Sequence, residues 1–114
     1  MKFIRKHTEG PFRRVGWKVL TEIGVIIAEI LPWDISGCRE EDHANIEAIL
    51  SFDKMLNYLI ERAEYINKIL VYNYGYPKET EPKEEYAVME YRSLKTELSR
   101  LIEMVKAAGV EVEI

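Results

Sequence analysis

The chain has a single cysteine, Cys38, in 114 residues, so no disulfide can close within it. Such cysteine usage points to a reducing compartment, and a cytoplasmic location is expected. No apolar run approaches the ~18 residues that a membrane-spanning helix needs, so no membrane partner is expected. The opening segment Met1-Lys2-Phe3-Ile4-Arg5-Lys6-His7 lacks the apolar centre of a signal peptide. Catalytic signatures are missing too. There is no Gly-x-Ser-x-Gly, no Walker loop and no Gly-x-Gly-x-x-Gly, and neither His7 nor His43 sits in a nucleophile–base motif. The chain is expected not to be an enzyme. Cys38, Asp42 and His43 are close in sequence but lack metal-ligand spacing, so neither metal nor cofactor is expected. A formal net charge of −4 disfavours direct DNA binding.

The apolar share of 47% and the charged share of 32% suit one folded domain with a real core. The charge is uneven. Residues 1–38 carry six basic and four acidic side chains, a net of +2. Residues 39–114 carry ten basic and sixteen acidic, a net of −6. The hydrophobic period changes at the same place, so the domain reads as a β-meander layer over 1–38, a helical hairpin over 39–109 and an edge strand over 110–114.

In the first layer Val15, Trp17 and Val19 alternate with Arg14, Gly16 and Lys18, which predicts one strand over Arg13 to Leu20. Glu22-Ile23-Gly24 reads as a turn. Val25 to Leu31 is apolar on both faces and predicts a buried strand. Lys2 to Lys6 is a candidate third strand. Helical spacing of Leu20, Gly24, Ile27 and Leu31 leaves a helix over Trp17 to Leu31 as the alternative.

Beyond the loop Pro32 to Gly37 a helix is expected from near Arg39 to Asp42, with Ser36 or Asp42 as its N-cap. Ile49, Phe52, Leu56, Leu59, Ala63, Ile66 and Leu70 follow a heptad seam, widened by Ile46, Leu50, Ile60 and Ile69. Gly75 and Pro77 end this helix. A second helix follows Pro82, with its seam on Ala87, Tyr91, Leu94, Leu98, Leu101, Val105 and Ala108, and Gly109 stops it. Val110-Glu111-Val112-Glu113-Ile114 alternates and reads as an edge strand. The short linker makes the helices antiparallel. The fold class is therefore α+β: a small antiparallel sheet packed on a long two-helix hairpin, with a short C-terminal strand. Rods of about 40–50 Å overhang such a sheet, and from this a homo-oligomer assembled through the helices is expected.

Two segments resemble a family of small phage and prophage proteins. His7-Thr8-Glu9-Gly10-Pro11-Phe12 resembles that family's His-Thr-Pro-Gly-Pro-Trp signature. Residues 44–59, beginning Ala44-Asn45-Ile46-Glu47-Ala48-Ile49, resemble its Ala-Asn-Ala-Arg-Leu-Ile helix without a gap. Gly24 to Ile30 is similar to its middle strand. Glu9, Phe12 and Asp53 stand where the family carries proline, tryptophan and proline. The layout of a meander followed by two long helices also resembles the phage Thoeris anti-defence sponges, which sequester cyclic nucleotide signals without cleaving them. These resemblances imply a phage-derived anti-defence protein with a cyclic nucleotide-type small molecule as partner.

The residues that suit such a ligand cluster around the end of the first helix. Tyrosine rings stack on bases, Asn73 can bond a base edge, and Lys78, Arg92 or Arg100 can meet phosphates. The candidate ligand-binding residues are Asn73, Tyr74, Tyr76, Lys78, Arg92 and Arg100. The competing reading has Tyr72 and Tyr91 as helix packing and the loop tyrosines as cover for the hairpin tip. The basic residues Lys2, Arg5, Lys6, Arg13 and Arg14 read as a solvated strand face. A second functional reading is a protein-binding inhibitor of a host defence nuclease, of the anti-CRISPR or anti-restriction type. Such an inhibitor would present the acidic helical face to its target. A third is an uncharacterised phage accessory role.

Overall fold

The structure, a computed structural model, describes residues 1–7, 10–29, 40–77 and 81–113. It is an α+β protein with the order β1 (Lys2–Arg5), β2 (Phe12–Val15), β3 (Lys18–Thr21), β4 (Ile26–Glu29), α1 (Glu40–Tyr74), α2 (Glu85–Ala107) and β5 (Val110–Glu113). Its contacts divide the chain into two units, one of His7–Leu56 and one of Met1–Lys6 with Asn57–Ile114. The segment Pro32 to Arg39, where the composition changes, lies outside the described residues, as does Ser36.

In the unit of His7–Leu56, β2, β3 and β4 form an antiparallel meander with β3 in the centre. The single strand expected over Arg13 to Leu20 is instead a hairpin. Val15 pairs with Lys18, leaving Gly16 and Trp17 as a two-residue turn. Gly16 takes φ 60°, a conformation that glycine adopts without a Cβ clash at the first turn position. The reversal changes which residues share a face. Phe12, Arg14, Val19 and Thr21 now lie together, and Val19 is fully buried while Val15 is 52% exposed. The turn after β3 forms as expected, with Gly24 at φ 91° donating its N–H to the Thr21 carbonyl at 3.0 Å.

The next segment is a strand, not a helix, over Ile26–Glu29, but it is not buried. As the outer strand of the meander it leaves Ile26 53% exposed. Ile30 and Leu31 lie outside the described residues. β1 does not join the meander. It pairs antiparallel with β5 in a separate two-stranded sheet, Lys2 opposite Glu113 and Arg5 opposite Val110.

Helix α1 runs 35 residues and carries Glu40, Glu41 and Asp42 in its first turn, where carboxylates meet the positive end of the dipole. Asp42 is inside the helix and buried, so it is not the N-cap. The buried face differs by one residue from the expected seam. Asp53 and Ile60 are buried, whereas Phe52 is 38% exposed and Leu59 only partly covered. Ile46, Leu56, Ala63, Ile66 and Leu70 complete the buried face. The α2 seam is as expected, with Tyr91, Leu98, Leu101 and Val105 buried. The two helices pack through one cluster of Ala63, Ile66, Leu70, Tyr91, Leu98 and Leu101. Gly75 at φ 68° and Gly109 at φ 88° follow the two helices, the positions where a left-handed residue ends a helix. No helix among the described residues is long and apolar enough to cross a membrane.

Candidate ligand-binding site

The candidate residues fall into two groups. The first lies at the end of α1. Asn73 is exposed. Tyr74 is half-buried, its ring set edge-on to Tyr91 at 5.3 Å and its hydroxyl donating to Glu90 Oε2 at 2.6 Å. That hydrogen bond, with partial burial and the Glu90 charge, pushes the Tyr74 phenol up to about 12. Tyr76 packs against the inter-helix cluster. Tyr74 and Tyr76 are thus held as cover for the hairpin core. Tyr72, by contrast, is 89% exposed and is not helix packing, while Tyr91 is. Lys78 lies outside the described residues.

The second group is on the outer face of α2. Residues at intervals of three and four share a helix face, so Arg92, Ser93, Thr96, Glu97 and Arg100 line one open hollow of about 480 Å³. Both candidate arginines are in it. Arg92 makes a two-point contact to Glu81, Nε to Oε1 at 2.9 Å and a terminal nitrogen to Oε2 at 3.2 Å. The contact holds the Glu81 carboxyl below the usual carboxylate range and raises the Arg92 guanidinium. Glu97 is taken up by Arg62 of α1, Nε to Oε1 at 3.0 Å. The Thr96 hydroxyl donates to the Arg92 carbonyl at 2.9 Å. Arg100 forms no ion pair among the described residues, and its charge is available to solvent.

Ser93, Thr96, Glu97 and Glu81 are members that sequence reasoning missed. Thr96 lies four residues from both Arg92 and Arg100, and Ser93 and Glu97 lie seven and three residues before Arg100, so helical spacing is the signal that finds them. Glu81 lies before the helix and carries no such signal.

Within the unit of His7–Leu56, the segment before β2 meets the first half of α1. The Gly10 N–H donates to Asp53 Oδ1 at 3.0 Å, and the His7 ring stands edge-on to Phe52 at 5.4 Å. A Cβ on Gly10 would fall 2.5 Å from Asp53 Cγ, so only glycine fits there. Pro11 and Phe12 follow directly into β2, so Gly10 ties the chain to α1 at the entry to the meander. Nearby, Arg14 reaches His43 Nδ1 at 3.1 Å and Glu47 at 3.4 Å while lying over the Trp17 ring. Lys6 pairs with Glu111 at 3.0 Å. Lys2, Lys6 and Arg13 are exposed, as a solvated basic face requires, whereas Arg14 is partly buried among its partners. No protein family, curated protein or solved structure matches the chain.

Proposed function

We propose that this protein is a stoichiometric binder that sequesters a small anionic, nucleotide-type ligand on the outer face of α2, in a phage anti-defence role. The observation that carries the reading is the shared hollow of Arg92 and Arg100. Eight residues separate them, about 12 Å along the helix, so two planar guanidinium forks face a ligand bearing more than one phosphate. Ser93 and Thr96 put hydroxyl groups between them. The phage role rests on the resemblance of His7–Phe12 and residues 44–59. Glu81 occupies Arg92 in the free protein, so an incoming phosphate exchanges one carboxylate for another anion.

A thermal-shift panel of cyclic ADP-ribose isomers, cyclic di- and trinucleotides and linear nucleotides tests this. A ligand at about a hundred times its Kd adds roughly 2.7 kcal/mol, a rise of many degrees for a chain of this size. The expected result is a rise with one cyclic nucleotide, its loss in Arg100→Ala, a larger rise in Glu81→Gln, and intact ligand recovered after heating. No rise across the panel overturns the reading. Recovery of a cleaved product would make the protein a hydrolase.

The net −6 of residues 39–114 favours the second reading, an inhibitor docking on a basic surface of a host nuclease. Capture of such a protein, with affinity falling steeply as salt rises, would support it.

A further inference from the structure

Beyond the seam that joins it to α2, helix α1 carries a second heptad stripe: Tyr58, Arg62, Tyr65, Ile69 and Tyr72, at spacings of 4, 3, 4 and 3. Tyr58, Tyr65 and Tyr72 each lie two residues beyond Leu56, Ala63 and Leu70, roughly 200° round the helix, so the three tyrosines face away from the core, with Arg62 and Ile69 partly buried beside them. The three tyrosines are 66%, 55% and 89% exposed. A solvated helix face has no need of a repeated aromatic at every seventh residue, and tyrosine is favoured where a surface is to be covered. The centre of the stripe is already engaged by α2. Arg62 is held by Glu97 at 3.0 Å and lies over the Tyr65 ring at 5.6 Å.

We propose that this stripe is the contact with a second copy of the chain, the two α1 helices packing antiparallel. The charges choose both partner and direction. With Arg62 and Ile69 at a, and Tyr58, Tyr65 and Tyr72 at d, the g positions are Glu61 and Lys68, both exposed. In a parallel pair each g residue meets an e residue of its neighbour, and here the facing e residue, Ile66, is fully buried in the hairpin core. In an antiparallel pair g meets g, so Glu61 of each copy meets Lys68 of the other. That arrangement is self-complementary, as a two-fold interface requires. It also sets the register, with Tyr58 against Ile69 and Arg62 against Tyr65 across the axis. In this register residues 58 to 69 of each copy overlap, about 17 Å of helix. It does not depend on the ligand reading of α2.

Sedimentation of the full chain tests this, with far-UV circular dichroism reporting the fold. The wild type is expected at twice its chain mass of 13.4 kDa, and Tyr65→Glu at the chain mass with unchanged helicity. Glu61→Lys sets lysine against lysine and should weaken the dimer about tenfold, and adding Lys68→Glu should restore it. Since Glu61 and Lys68 are exposed, the exchange tests the register even if Tyr65→Glu disturbs folding. A wild type at the chain mass, a dimer insensitive to Tyr65→Glu, or a charge exchange without recovery overturns the proposal.

Discussion

The phenol of Tyr74 shows how one residue type serves two ends. Its ring closes the hairpin core against Tyr91, and its hydroxyl is spent on Glu90. Tyrosine in a turn suits both ligand stacking and packing, and only the spatial neighbours separate the two. Arg92 and Arg100 stand out in the sequence by charge alone, and their eight-position interval on a helix is what brings both to one hollow. What the interval does not carry is the Glu81 contact, made from outside the helix. The Tyr74 bond has a measurable consequence. The folded state holds the phenol protonated up to about 12, above the ordinary value near 10. The bond's stabilisation is therefore complete below pH ~10 and lost as pH rises towards 12. In an ultraviolet phenolate titration one tyrosine should ionise about two pH units late, and Tyr74→Phe should remove that late step.

Among the elements, helices were more legible than strands. The period of α2 needs no long-range information, and its seam holds from Tyr91 to Val105. Strand alternation is more ambiguous, because it continues in phase through a two-residue turn. Val15, Trp17 and Val19 look like one face, yet the reversal at Gly16 sends Val15 outward and Val19 inward. The seam of α1 moves by one residue for a polar reason. Asp53 turns inward to receive the Gly10 N–H, and hydrophobicity gave Phe52 that place. The approach of Gly10 to α1 is correspondingly tight. Gly10→Ala forces a methyl group into Asp53 and should cost about 1–3 kcal/mol, read as a lower midpoint in urea unfolding with little change in slope.

At the scale of the molecule, the α+β class was readable from composition and period, since a strand-rich layer and two long amphipathic helices leave few architectures. The partner of β1 was not readable. Lys2 and Glu113 are more than a hundred residues apart, and nothing local in either strand names the other. That pairing also orders events in time. A contact at such separation carries a large loop-closure entropy until the intervening chain has condensed. Helices and hairpins close short loops and come first. In pulse-labelling hydrogen exchange during refolding, amides of Ala63–Leu70 and Leu98–Val105 should gain protection early, and those of Phe3 to Arg5 and Val110 to Val112 last. The β1–β5 ribbon then acts as a clasp, fastened only once everything between its two halves has found its place.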